Sequence, residues 1–273
     1  MFFEFSVLMS IYHRDDPVFL KQALDSLVYQ SLPANEIVVV FDGDIGPLLE
    51  SIVSSYSQVL PIKVLKLAEN VGLGNALNLG LNEVSHDWVF RMDSDDICRV
   101  DRFEIQAELI KNTPDVDVTG GWIDEFESEV GDQKRIRKVP LSNLDIYSAI
   151  GKFSPFNHVT VAFKKNAVLD VGGYKGGKNF PEDYYLWLRM AANHSKFSNT
   201  NKVLVDVRTG SGMISRRGGL DYYKNEMKIA RYAQSIGFIS KSRLLLIGVL
   251  KFILRLSPVF IRQLIYSLHR KLS

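Results

Sequence analysis

The chain has 273 residues, of which 46% are hydrophobic and 23% charged, with a formal net charge of +2. Such a composition belongs to a globular protein, sized for one large α/β domain with an extension or for two small domains, and excludes disorder over most of the length. A single cysteine, Cys98, excludes an intramolecular disulfide framework and a Cys-rich zinc site.

The chain has no internal repeat or low-complexity tract. Its start, MFFEFSVLMSIYHRDD, lacks a basic n-region and a small-residue cleavage site, so no signal peptide is expected. The charge is unevenly spread. Nine Lys or Arg and no acid follow Glu226, so the preceding body is net acidic and the tail strongly basic. A basic tail on an acidic body points to a polyanionic partner for the tail.

In chain order, residues 5–11 (FSVLMSI) form a short apolar run, the pattern of a strand buried on both faces. Asp16-Pro17 supplies an N-cap and a Pro at N1, predicting a helix. Residues 36–41 (EIVVVF) predict a second buried strand, running into Asp42-Gly43-Asp44. An amphipathic helix over 46–57, a strand over 62–67, a helix over 72–84 and a strand over 87–92 follow. Four strands alternating with three helices predict a doubly wound parallel sheet, with ligands at its carboxyl edge. Two of those strands end in acids, at Asp42 and Asp93.

Beyond Cys98 the pattern predicts a helix over 99–112 and a strand over 116–121. A strand pair over 122–138, a helix over 141–151 and a short strand over 160–163 come next. Glycine turns at 171–178 precede Glu182-Asp183, read as the cap of a strongly patterned helix running to 192. A strand over 203–207, a Gly- and Arg-rich loop over 208–219 and a helix over 220–237 complete the body. From Ser240 onward apolar residues are dense, but no uninterrupted apolar run approaches the roughly 18 residues of a spanning helix. On a helix wheel Lys251, Arg255 and Arg262 fall within about 40° of one another. That stripe fits helices lying in a membrane interface, and it also fits a helical pair packed on the body.

Four features bear on chemistry. Asp93, Asp95 and Asp96 crowd three carboxylates into four residues, which repel unless a cation sits among them. Their hard oxygens suit Mg²⁺ or Mn²⁺, although a solvated turn before a helix has the same residues. Asp42, beside Gly43, can accept a hydrogen bond from a pyrimidine N–H, or can simply be a turn aspartate. Asn70 and Gly72 provide polar contacts and a tight turn at a helix start. The spacing is not G-x-G-x-x-G, so dinucleotide binding is not indicated. Asp183, beside Glu182, could be a helix cap, or the base that an inverting sugar transfer needs opposite its leaving group.

As an ordered set, SVLMSIY (6–12), VVVFDGD (38–44), NVGLGNALNLG (70–80), RMDSDDI (91–97), GGY (172–174), FPEDYYLWLRM (180–190) and RRGG (216–219) resemble glycosyltransferase family 2, the inverting GT-A enzymes. The resemblance is greatest to bacterial enzymes that build O-antigen or exopolysaccharide repeat units, including the amylovoran type. The resemblance covers about residues 5–220 and implies a Rossmann-like, mostly parallel central sheet flanked by helices; the tail's own pattern adds amphipathic helices at the C-terminus. A GT-A domain would cover 1–220, its nucleotide-sugar half 1–115 and its acceptor half 116–220. Residues 221–273 would be a basic helical extension on a membrane.

The resemblance assigns Tyr12, Asp42, Asn70, Gly72, Asp93 and Asp95 to the nucleotide sugar, and Asp93, Asp95 and Asp96 to a divalent cation. It makes Asp183 the catalytic base. Glu182, His158, Trp187, Arg216 and Arg217 fall in regions that would face the acceptor or the diphosphate. The Q-x-x-R-W motif of processive members is missing, which favours transfer of a single sugar. The implied donor is a nucleotide diphosphate sugar and the implied acceptor a lipid-linked glycan. The tail's own residues predict peripheral attachment to the cytoplasmic face of a membrane through residues 240–273. Nucleic acid is not an expected partner, because the tail has little to stack on bases. Two other classes compete. A sugar-phosphate nucleotidyltransferase would carry a glycine- and base-rich loop where this chain reads SIYHRDDP. A non-catalytic membrane-docked module would leave the acids without a role.

Overall fold

The computed structural model describes residues 3–176, 180–209, 218–258, 261, 262 and 265. Among them nine strands form one sheet. They are β1 (Ser6–Ile11), β2 (Glu36–Phe41), β3 (Ile62–Lys66), β4 (Trp88–Arg91), β5 (Ile97–Cys98), β6 (Val118–Phe126), β7 (Arg135–Arg137), β8 (Ala162–Lys164) and β9 (Phe197–Arg208). The helices are α1 (Pro17–Val28), α2 (Pro47–Tyr56), α3 (Leu73–Glu83), α4 (Arg102–Asn112), α5 (Asn143–Ile150), α6 (Lys165–Asp170), α7 (Glu182–Ala192), α8 (Leu220–Ser235) and α9 (Lys241–Leu256).

The strand order is β3-β2-β1-β4-β8-β6-β9-β5, with β7 hydrogen-bonded to β6. β3, β2, β1 and β4 are parallel neighbours. β8 runs antiparallel between β4 and β6, and β9 is parallel to β6. The parallel half is therefore as expected, and the second half is mixed.

Alternation along β1 divides the core in two. Val7, Met9 and Ile11 pack with Leu20, Leu24 and Leu49 of α1 and α2. Leu8 faces the other way, onto Ala76, Leu77 and Leu81 of α3 and Leu186 of α7. Burial on both faces is why these strands read as continuous apolar runs. α3 can lie this close because Gly80 has no side chain. A Cβ there would come within 2.5 Å of Val40 Cγ2 and 2.6 Å of Leu8 Cδ1. Asp16 caps α1, accepting from Val18 N at 2.7 Å and Phe19 N at 3.3 Å.

Three expectations need correcting. The strands expected at 116–121 and 122 onward are one strand, β6, which pairs with β7 across the turn at Gly131. Glu182 and Asp183 do not cap α7. Pro181 holds the N-cap position and the two acids occupy the first turn, where the helix dipole favours negative charge.

The third correction concerns the basic stripe, which faces inward. Lys251 Nζ reaches Glu226 Oε1 of α8 at 2.5 Å, and Arg255 Nε reaches Oε2 at 2.7 Å. Arg262 donates to the carbonyls of Arg255 and Ser257. Pairing those cations with a carboxylate and with helix-end carbonyls leaves the apolar face of α9 pointing outward.

Candidate active site

Parallel pairing brings the carboxyl ends of β1, β2 and β4 to one edge of the sheet. β9 ends there as well, since Arg208 donates its backbone N–H to Asp96 Oδ1 at 2.8 Å. The Arg208 side chain adds a bond to Gln22 Oε1 at 2.6 Å and lies over the rings of Phe19 and Phe126.

Residues two apart on an extended chain project to the same side. Arg91 ends β4, and its guanidinium grips both carboxylate oxygens of Asp93. Burial disfavours the Arg91 charge, but Asp93 outweighs it and keeps the guanidinium protonated. Behind it lies a second buried cation, Arg102, which donates to the Arg91 carbonyl at 2.7 Å and to Gln106 Oε1 at 3.0 Å.

Asp93, Asp95 and Asp96 each place a carboxylate oxygen within 4.8 Å of the others. Burial pushes Asp96 well above the usual carboxylate range, and repulsion by Asp93 and Asp95 adds to it. Desolvation, then Asp93 and Asp15, push Asp95 up to about 6. The Asp95 side chain reaches solvent, so water screens part of that rise, while the two neighbouring acids keep its direction. Three hard oxygen donors at mutual repulsion are a fitting seat for Mg²⁺ or Mn²⁺.

Asp15 was not singled out from the sequence. It sits in the turn after β1, where its Oδ2 accepts from Ser94 Oγ at 2.8 Å and from Tyr12 N at 3.2 Å. Desolvation raises its carboxyl to about 6, against the hydrogen bonds that lower it. Ser94 lies inside the Asp93–Asp96 loop, so Asp15 ties the Tyr12 turn directly to the acid cluster. The available signal was position alone, an acid just past the end of a buried strand at the ligand edge.

Asp42 is almost fully buried and already engaged. Its two oxygens accept from Val71 N at 2.7 Å and Gly72 N at 3.0 Å, and Asn70 Nδ2 donates to its carbonyl at 3.1 Å. The carboxylate thus fixes the turn that starts α3. Gly43 permits a close approach, though to the protein's own chain: a Cβ there would lie 2.8 Å from Asn70 N.

Burial raises both acids of the α7 first turn. Glu182 rises to about 7, with Asp183 repulsion adding. Asp183 also rises, held back by the Tyr184 N–H, by Arg137 and by Arg91. The charges of Arg91 and Asp93 act on Glu182 too. Glu182 Cβ would be 3.1 Å from a side chain added at Gly74, so α3 and α7 meet at their first turns.

Tyr174 lies among these groups. Burial raises its phenol, Arg91 opposes this, and Asp183, Glu182 and Asp93 add to it. His158 Nε2 meets Tyr174 OH at 3.1 Å. Burial, and then Arg91, push His158 well below its usual value, so the imidazole is neutral. Trp187 has no exposed surface to offer a ligand. It is fully buried, packed on Phe156 at 5.0 Å and edge-on to His158 at 6.1 Å, and so supports the site from beneath. Arg216 and Arg217 lie outside the described residues.

The sequence and the fold both have counterparts among known proteins. The family described as glycosyl transferase family 2 matches residues 6–176. The chain belongs to glycosyl transferase family 2. Among relatives of this glycosyltransferase, the UDP-Gal:alpha-D-GlcNAc-diphosphoundecaprenol beta-1,3-galactosyltransferase of Escherichia coli is 40% identical over 97% of this chain and 95% of its own length. The amylovoran biosynthesis glycosyltransferase AmsE of Erwinia amylovora is 38% identical over 98% of this chain and 99% of its own length. The crystal structure of S. aureus TarS 1–349 in complex with UDP-GlcNAc superposes with a TM-score of 0.69 at 21% identity, covering 89% of this chain and 69% of TarS. That likeness establishes the shared GT-A fold.

Proposed function

We propose that this glycosyltransferase moves one hexose, with inversion, from a UDP-sugar to a lipid-linked saccharide during surface-polysaccharide assembly. The observation that supports this reading is two acidic groups that share the field of one buried guanidinium. Asp93, Asp95 and Asp96 cluster at the strand ends, and Arg91, which holds Asp93, also acts on Glu182 and on Asp183, whose carboxyl burial raises. The named substrates of the E. coli relative support the donor and acceptor classes.

In this reading the parallel half takes the nucleotide and the mixed half the acceptor. The nucleoside lies against Tyr12 and the Asp42–Gly72 turn. Asp93, Asp95 and Asp96 would hold a divalent cation, Mg²⁺ or Mn²⁺. Bound there, it would offset the charge of the diphosphate as it leaves. Arg91 holds both carboxylate oxygens of Asp93 and so fixes that side chain in the acid loop. Asp183 takes the acceptor hydroxyl proton while that oxygen attacks C1 and the C1–O bond to the diphosphate breaks on the opposite face. Burial brings the Asp183 pKa closer to neutrality, which strengthens it as a base. Glu182 precedes it in the α7 first turn, and His158 bonds Tyr174 OH, whose phenol feels both acids; these residues would lie on the acceptor side. Because the acceptor carries a lipid, the enzyme works at the cytoplasmic face of a membrane. Among the described residues no helix is long and apolar enough to cross one.

The test is nucleotide release from a panel of sugar nucleotides with Mn²⁺, with and without a lipid-diphosphate-linked sugar. UDP release from one UDP-hexose, stimulated by the acceptor, is the expected result. Release from none of them defeats the proposal. Formation of a sugar nucleotide and pyrophosphate from UTP and a sugar phosphate would put a nucleotidyltransferase in its place.

A further inference from the structure

α9 has its charges on the inside. Lys251 and Arg255 converge on Glu226 of α8, and Arg255 Nη2 adds a third contact at 2.8 Å. Burial would raise the Glu226 carboxyl, but Arg255 and Lys251 outweigh it and hold it below the usual range. The Arg255 carbonyl also accepts from Gly219 N at 2.9 Å, which anchors the far end of the helix.

With that side fixed to the body, the opposite side is exposed among the described residues. Leu245, Leu246, Val249, Leu250, Ile253 and Leu256 are between 46% and 72% exposed. At 3.6 residues per turn they form a continuous arc of about 140°. Lys241 flanks one edge of the arc and Arg243 the other, both exposed. An apolar face of this extent in water normally has an occupant.

We infer that the outward face of α9 lies in the interface of an anionic lipid bilayer, with the apolar arc among the acyl chains and Lys241 and Arg243 at the phosphates. This rests on the lipid-linked acceptor proposed above, and it names the surface and its orientation. Charge complementarity selects the occupant. Glu226 is the last acid in the chain and is already saturated by two cations, so the surface beyond it offers only positive charge. Cations bordering an apolar arc are the arrangement of a helix lying flat at a headgroup boundary. The helix is about 24 Å long, shorter than a hydrocarbon core of roughly 30 Å, which again fits lying flat rather than crossing. The buried Glu226 cluster sets the rotation: it turns the two cations that would otherwise accompany the apolar face toward the protein.

The experiment is flotation of the full chain with phosphatidylglycerol/phosphatidylethanolamine vesicles and with phosphatidylcholine vesicles. The wild type floats with the anionic vesicles and, at low salt, at least about tenfold less with the neutral ones. The doubly substituted L250D/I253D, altered only at exposed positions, keeps its thermal midpoint and stays at the bottom of the gradient. K241E/R243E binds anionic vesicles no better than neutral ones. Wild type that floats with neither vesicle overturns the inference, as does L250D/I253D that floats like wild type. So does a wild-type dimer, split by L250D/I253D and indifferent to lipid, since it makes a second copy the occupant. Transfer to a short-chain, water-soluble acceptor separates the two proposals. L250D/I253D retains it, and if wild type floats but transfers nothing, the surface stands and the reaction fails.

Discussion

Two of the molecule's charge clusters are built on opposite rules. At the C-terminus, Glu226 meets Lys251 and Arg255 at 2.5–2.8 Å, and its carboxyl is driven below the usual range. At the strand ends, Asp93, Asp95 and Asp96 share one direct guanidinium partner, Arg91, and the Asp95 and Asp96 carboxyls are driven up. Matched charge fixes a helix in place. Unmatched charge is costly to the fold and persists where a ligand supplies the missing sign. The α7 acids follow the second rule, with Glu182 raised to about 7.

The sharpest way to break this contrast is Asp183→Asn. Transfer should fall by about 10³-fold with donor affinity largely kept, as expected on losing a general base. Single-turnover transfer beside donor titration measures both, and normal turnover would remove Asp183 from the mechanism. At the matched cluster, Glu226→Ala leaves the buried Arg255 without its carboxylate and should cost about 3 kcal/mol, read from denaturant unfolding. Asp95→Ala should have the reverse signature, with little loss of stability but loss of metal-dependent donor binding. Donor binding that stays intact in EDTA would count against the acid triad.

A smaller effect is expected at Asp15. Asp15→Ala and Ser94→Ala each cut the tie between the Tyr12 turn and the acid loop. Each should raise the donor KM by about tenfold, roughly one charged hydrogen bond, with kcat little changed. The two substitutions together should do no more than either alone.

The pH dependence separates the clusters again. Glu182 titrates from its usual 4.5 when unfolded to about 7 when folded, so the folded state binds the extra proton between those values. Its contribution to stability is complete below the lower value and is lost as pH rises through the upper one. Asp15 and Asp95, each raised to about 6, act in the same direction from 3.8. Without metal the thermal midpoint should therefore fall as pH rises toward 7, and Glu182→Gln should flatten that slope. Mn²⁺ added at pH 7 should restore the midpoint through Asp95. A midpoint indifferent to both pH and Mn²⁺ would contradict the unmatched charge.

The sequence disclosed the first half of the fold because β1, β2 and β4 are apolar runs that stop at polar edges. It disclosed the acid triad because three aspartates in four residues have few structural uses. β5 escaped because two residues, Ile97 and Cys98, carry no periodicity. β9 extends well before the expected Val203, since Ser198, Asn199, Thr200, Asn201 and Lys202 hide its start among polar residues. Arg91 stood in plain view, two residues before Asp93, but a strand arginine is identified by its partner rather than its spacing. The wheel of the tail found its basic stripe. Its facing depended on Glu226, on another helix, which no local pattern reveals. Tyr174 and Asp15 join the site only through the folded chain.

One consequence follows from how β9 ends. Its last residue, Arg208, clasps Asp96 through an amide, leans on Phe19 of α1 and holds Gln22, while β5 borrows its edge from Asp206 and Val205. The acid loop at the strand ends is thus completed by chain synthesised about a hundred residues later. A ribosome-bound intermediate ending near residue 115 would have every aspartate of the triad but not the strand that braces them, so the proposed donor site would wait for nearly the whole polypeptide.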